Sequence, residues 1–318
     1  MRDSFGRDIS YLRISVTDRC DLRCVYCMPE GGTVPMRHDE ILRYEEIARL
    51  ARIFASLGIR RVRLTGGEPL VRKDLRTLVS LLKGTDGIER VALTTNGMLL
   101  NEQLPGLLAA GLDAINISVD TRNEAHFAAI TRRSGVDRVL RAAEACAREP
   151  GLVTKLNCVP AAWNRADLSD LVAFANDLGL LLRFIELMPI GQGRAHAGLS
   201  EAEVLAELRE QFGAWTLDEA TAHDKCRVFT CNGLRVGFIS PMSHRFCASC
   251  DRVRLTADGK LKTCLEYPPQ LNLRPLLKEP DEIIKEAIRA AIERKPKAHR
   301  FSEQASDSEP RGMSEIGG

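Results

Sequence analysis

The sequence has almost no net charge. Its 45 basic and 43 acidic residues among 318 leave a formal charge of +2. No global field therefore favours nucleic acid, and any anion site must be gathered locally. No run of 18 uninterrupted apolar residues occurs, so no membrane-spanning helix is expected. The opening residues, MRDSFGRDISYLR, hold neither an apolar segment nor a small-residue cleavage site. The expectation is a cytoplasmic protein with no membrane and no nucleic-acid partner. Internal repeats are absent beyond an alternation of strand-like and helix-like segments. What is present is ordinary in bulk: 44% hydrophobic residues suffice for a sizeable core, and 28% charged residues suit a water-soluble surface.

Ten cysteines need a reason. In a reducing compartment clustered cysteines bind metal or do redox chemistry more often than they form disulfides. Cys20, Cys24 and Cys27 are spaced C-x3-C-x2-C, and Cys247, Cys250 and Cys264 are spaced C-x2-C-x13-C. Cys146 and Cys158 sit in apolar segments and read as small buried hydrophobes. Cys226 and Cys231 stand outside both groups. Three thiolates on one loop suit a four-iron cluster with one iron lacking a protein ligand. In zinc enzymes such an open position marks a reactive site. The competing reading of the first group is a zinc site with a distant fourth ligand such as His38. For the second group it is a zinc ribbon completed by His244, Cys226 or Cys231. Arg252 and Arg254 follow Cys250 directly. On a strand both would point to one face as an anion clamp; the alternative is solvated surface charge.

Strand-like LRISV (12–16), VRL, VALTT, AINISVD, LVTKLNCVP and LLRFIELM alternate with helical stretches near 43–58, 74–83, 101–110, 123–130, 136–148 and 167–178. This predicts an α/β fold, a partial (incomplete) TIM-like barrel of about six parallel βα units over residues 1–190. Such folds place their sites at the C-terminal ends of the strands. There stand Gly66 and Gly67, Thr95 and Asn96, Ser118 and Asp120, Glu186 and Met188. Residues 191–301 form a C-terminal extension carrying the second cysteine group. It includes a helix near 200–211 and a hairpin turning at Asn232-Gly233. Residues 302–318 read as a flexible tail ending in Gly-Gly.

The C-x3-C-x2-C spacing, Tyr26 before the last cysteine and GGEP (Gly66–Pro69) together resemble the radical S-adenosylmethionine superfamily. GGEP alone is a weak signal, since glycines after a strand usually make a turn. Within that superfamily LRISVTDRC, RLTGGEPLVRKDL, LTTNG, INISVD, RFIELM, FCASCDRVRL and the terminal IGG resemble the GTP 3′,8-cyclase family of molybdenum-cofactor biosynthesis. The match runs from Arg13 to Cys264 and resumes at the last residues.

The resemblance implies two [4Fe–4S] clusters. Cys20, Cys24 and Cys27 match the ligands of the first, whose open iron chelates S-adenosyl-L-methionine. Cys247, Cys250 and Cys264 match those of the second, whose open iron binds guanine. Tyr26, Gly67, Ser118 and Met188 match cosubstrate positions. Arg13, Arg61, Arg63, Thr94, Lys155, Arg183, Arg252 and Arg254 match GTP positions; Arg61 stands where some members carry lysine. Gly317 and Gly318 match a tail that enters the active site. The implied reaction removes hydrogen from C3′ of GTP and joins C3′ to C8, giving (8S)-3′,8-cyclo-7,8-dihydroguanosine 5′-triphosphate. The implied partners are an electron donor, the downstream cyclic pyranopterin monophosphate synthase and, as one option, a second copy of the chain. Competing readings are a peptide-modifying enzyme of the same superfamily and a zinc-stabilised or redox-sensing binding protein.

Overall fold

The computed structural model describes residues 1–301 and 311–317. The first half alternates strands and helices: β1 (Tyr11–Ser15), α1 (Tyr44–Ser56), β2 (Arg61–Thr65), α2 (Leu75–Lys83), β3 (Arg90–Thr95), α3 (Leu100–Ala109), β4 (Ala114–Ser118), α4 (Glu124–Thr131), α5 (Val136–Ala147), β5 (Val153–Cys158), α6 (Leu168–Asp177) and β6 (Leu181–Ile185). The expected helices and strands all form, with ends displaced by a few residues. The second half adds α7 (Glu201–Phe212), β7 (Thr216–Leu217), β8 (Arg227–Cys231), β9 (Leu234–Ile239), β10 (Arg252–Leu255), β11 (Lys260–Lys262), β12 (Leu271–Asn272), α8 (Asp281–Glu293) and α9 (Met313–Ile316). The hairpin of β8 and β9 turns at Asn232 and Gly233, both at positive φ, as a two-residue turn of this hand requires.

Among the described residues the strands form one sheet, ordered β12-β11-β10-β1-β2-β3-β4-β5-β6-β9-β8-β7. The six expected strands are parallel neighbours in sequence order. The parallel run is longer than expected. β10 pairs parallel with β1, and β9 pairs parallel with β6. The second half therefore extends the barrel at both ends of its sheet. Spacing in sequence could not reveal this, because these pairings join segments that no short connection links.

The strands read with period two, and the pattern fixes which face is which. Leu12, Ile14, Val62, Leu64, Val91, Leu93, Ile115, Ile117, Leu156, Leu182, Phe184 and Val253 are fully or almost fully buried. They meet the apolar stripes of the helices, such as Ile47, Leu50 and Phe54 of α1. The alternate positions are Arg13, Arg63, Thr94, Asn116, Lys155, Asn157, Arg183 and Arg254, and these line an internal cavity. A filled barrel carries branched apolar residues inside. This one carries cations and amides.

Candidate active site

The cavity measures about 460 Å³ and takes its lining from β1 to β6, β9 and β10, so the sheet curves around it. At one end lies the loop after β1, with Cys20, Cys24 and Cys27. Gly66 and Gly67 leave β2 and press against that loop. Gly67 N–H donates to Thr17 O at 2.8 Å and Glu68 N–H to Arg19 O at 2.8 Å. A Cβ on Gly67 would stand 2.4 Å from Arg19 O, so only glycine allows this backbone pairing. The Glu68 carboxylate accepts from Thr95 Oγ1 at 2.7 Å, Asn96 N at 2.7 Å and Leu70 N at 2.9 Å. Burial nevertheless pushes its pKa up to about 7.

Burial also pushes the Cys27 thiol up to about 11 and raises those of Cys20 and Cys24. Bare thiols here would stay protonated and inert; thiolates are favoured only with a cationic group among them. Among the described residues, no group of three or more His, Cys, Asp or Glu side chains converges to hold one metal ion. A tetrahedral zinc site needs such convergence, with sulfur about 2.3 Å from one centre. Three thiolates each bound to a different iron do not. Three thiols on one loop, all lining one end of the cavity, are a donor set that suits a four-iron cluster with one iron left open.

Tyr26, Gly67, Ser118 and Met188 all line the cavity, together with Cys20, Cys24 and Cys27. Arg13, Arg61, Arg63, Thr94, Lys155, Arg183, Arg252 and Arg254 line it as well. Register explains their convergence. Arg13 of β1 lies beside Arg63 of β2 and beside Arg254 of β10. Adjacent positions on neighbouring strands bring like charges close enough to repel. Burial and these neighbours hold Arg13 well below the usual arginine range. Burial, with Arg252 beside it, brings Arg254 down to about 10, and burial lowers Arg183 to about 10. Lys155 is lowered by burial and by Arg183.

Three of these cations, Arg63, Arg183 and Arg254, rest on neutral oxygens. Arg63 donates to the Tyr11 hydroxyl and to Leu93 O at 3.0 Å. Arg183 donates twice to Asn157 Oδ1, at 3.0 and 2.6 Å. Arg254 donates to Gly317 O. A buried cationic layer held by neutral acceptors is costly, and an anion of several charges offsets that cost.

The cavity does not stop where barrel sites were expected. It runs through to the N-terminal ends of the strands, where Arg61 opens β2, Arg90 opens β3 and Arg252 opens β10. Cys247, Cys250 and Cys264 flank β10 at that end, outside the cavity lining. Burial and the charges of Cys250 and Cys247 raise Cys264, and Lys295 opposes them. Burial likewise raises Cys247, but contact with His299 outweighs it and leaves the thiol below its usual value.

Among the residues weighed as zinc partners, His244 lies 3.8 Å from the Glu201 carboxylate. Cys231 Sγ faces Phe212 O at 3.2 Å, and His38 is exposed on a short turn. Cys226 packs against Arg183 and the bare face of Gly237. The end of the chain returns to the barrel: Met313 and Ser314 line the cavity, and Gly317 touches Ser15 and Thr65. Gly318 lies outside the described residues, as do 302–310 of the expected tail.

The sequence reading missed Tyr11, Arg90 and Asn157, which line the cavity. It also missed Asp251, whose carboxylate holds Arg61 at 2.6 Å and pairs with Lys225. Tyr11 and Asn157 stand two positions from Arg13 and Lys155, so strand alternation alone could have found them.

The Radical SAM superfamily model matches residues 14–175, and the Molybdenum Cofactor Synthesis C model matches residues 180–301. A GTP 3′,8-cyclase of Heliobacterium modesticaldum is 43% identical over the whole of both chains. One of Moorella thermoacetica is 41% identical, again over the whole of both. The chain belongs to the GTP 3′,8-cyclase family. Membership places it in the radical S-adenosylmethionine superfamily, whose α/β fold it shows. The crystal structure of Streptococcus suis SuiB bound to S-adenosylmethionine superposes with a TM-score of 0.59 at 16% identity, over 89% of this chain and 68% of that one. That likeness supports the fold alone. No helix among the described residues is long and apolar enough to cross a membrane.

Proposed function

We propose that this chain is the lyase that converts GTP to (8S)-3′,8-cyclo-7,8-dihydroguanosine 5′-triphosphate in molybdenum-cofactor biosynthesis. The observation that carries this reading is the through-going cavity. A three-cysteine loop stands at one end, a second cysteine group beside the other, and a buried cationic layer between them. Cys20, Cys24 and Cys27 would hold the first [4Fe–4S] cluster, which when bound supplies the electron that opens the sulfonium bond of S-adenosyl-L-methionine. Cys247, Cys250 and Cys264 would hold the second.

The chain's own residues do the positioning. Gly67, Ser118, Met188 and Tyr26 shape the cosubstrate end. Arg13, Arg63, Lys155 and Arg183 neutralise the triphosphate, with Arg61 and Thr94 beside them. Arg252 and Arg254 hold the nucleotide between β10 and the tail, where Gly317 already takes an Arg254 hydrogen bond. Fixing ribose and cosubstrate in one cavity turns a bimolecular encounter into an oriented one. Residues 1–190 thus serve the cosubstrate end and 191–301 the second-cluster end. Ten cysteines without a disulfide suit the reducing cytoplasm. An external electron donor and cyclic pyranopterin monophosphate synthase complete the sequence of reactions.

The decisive experiment is anaerobic incubation of the reconstituted chain with GTP, S-adenosyl-L-methionine and reductant. The expected products are 5′-deoxyadenosine and the 3′,8-cyclised nucleotide. Cleavage of S-adenosyl-L-methionine with GTP recovered intact would refute the assignment.

A further inference from the structure

Asp120 follows β4 and stands behind the cavity wall, 7% exposed. Its two carboxylate oxygens serve two different pieces of that wall. Oδ2 accepts from the Tyr26 hydroxyl at 2.7 Å, and Oδ1 accepts from Val159 N at 2.8 Å. Its backbone carbonyl accepts from Asn164 Nδ2 at 2.9 Å. Tyr26 belongs to the cysteine loop, and Val159 follows β5; both line the cavity, as does Ser118 two residues before Asp120. The Tyr26 ring is also fixed in plane. Trp163 stacks on it with centroids 5.7 Å apart and planes 13° apart, and His196 meets the Trp163 edge at 5.3 Å. Asn164, beside Trp163, is the residue that bonds the Asp120 carbonyl.

One buried carboxylate thus joins the cysteine loop to the ends of β4 and β5. A carboxylate in such a place is costly, and it persists only where its hydrogen bonds fix something. We propose that Asp120 is a positioning residue for S-adenosyl-L-methionine, acting through the Tyr26 hydroxyl to hold the cysteine loop at the right distance from Ser118 and Val159. This rests on the cyclase reading for the identity of the cosubstrate. It assigns to Asp120 the tilt of Tyr26, while Trp163 sets the plane of the ring. The cationic end of the cavity is untouched.

The test uses the full chain, reconstituted anaerobically, with S-adenosyl-L-methionine and GTP affinities measured separately. Failure of the unaltered chain to bind S-adenosyl-L-methionine would defeat the cyclase reading itself, before any variant is compared. Asp120→Ala should weaken S-adenosyl-L-methionine about tenfold, the worth of one charge-assisted hydrogen bond. GTP affinity should stay within about twofold. Asp120→Asn can still accept from Val159 and donate to the Tyr26 oxygen, so it should recover most of the loss. The double variant Y26F/D120A should bind no more weakly than D120A alone, because both remove one interaction. The spectrum of the reduced first cluster should respond to S-adenosyl-L-methionine only at proportionately higher concentration in D120A. Additive losses, a parallel fall in GTP affinity, or unchanged S-adenosyl-L-methionine binding would each overturn the proposal. If D120A does not fold, Tyr26→Phe carries the test, since it keeps the ring and removes the hydroxyl; unchanged affinity there overturns it equally.

Discussion

Gly237 on β9 lies level with Arg183 on β6 and has no side chain to cover it. A Cβ there would stand 2.8 Å from Cys226 Sγ, 3.1 Å from Arg183 Cγ and 3.6 Å from Leu181 Cδ2. Favourable contacts between such atoms begin at about 3.5 Å. Gly237→Ala therefore forces either the thiol or the arginine stem to move. Elsewhere in a strand the same change would stabilise by roughly 0.4–1 kcal/mol through the unfolded chain. Here overpacking should reverse the sign and cost about 1–3 kcal/mol. Arg183 is held by two hydrogen bonds to Asn157 Oδ1, and moving its stem breaks both. GTP affinity should fall about tenfold, the worth of one bond to a charged group. Urea unfolding and GTP binding read the two effects separately. Adding Cys226→Ala removes the closer contact, so G237A/C226A should regain stability while GTP stays weak. Normal GTP affinity in G237A, or full recovery of both properties in the double variant, would show that Arg183 is not seated by this gap.

Two other outcomes follow from the site. Reconstituted chain should hold about eight irons, and Cys247→Ala should lose about four of them yet still cleave S-adenosyl-L-methionine; stoichiometric zinc, or cyclisation by that variant, contradicts the assignment. Glu68 should make stability depend on pH. Its folded pKa, about 7, lies above its ordinary value of 4.5, so the folded state binds the extra proton between them. The stabilising proton is present at low pH and lost as pH rises through about 7. Relative to Glu68→Gln, the unaltered chain without cofactors should weaken from pH 5 to pH 8 in urea titrations. A constant difference would mean that Glu68 stays ionised throughout.

Much of the fold was legible because local signals agreed. LRISV, VRL and VALTT are short β-branched runs followed by helical periodicity, and all became parallel strands. The cysteine spacing and GGEP sit at adjacent strand ends, and their residues meet in space. The neighbours of β10 and β9 were not legible, since parallel pairing across long separations leaves no local mark. Nor were the pairings of the supports, although Asp120 stood at an expected strand end and Asn157 on an expected strand face. Asn157, Asp251 and Asp120 act by holding other side chains, and only a structure shows which oxygen faces which donor.

The place of β10 beside β1 has a consequence for how the protein is made. Arg7 donates to Cys247 O across 240 positions of sequence, and Arg252 to Leu255 pair with the first strand only after nearly all the chain exists. Such distant closure is slow relative to local helix and strand formation. A nascent chain leaving the ribosome therefore has its first cysteine loop in hand while the arginine-lined cavity is still open on the side that β10 will close. Polypeptides released before residue 252 would carry the cysteine loop of a radical enzyme with no wall to confine what it makes.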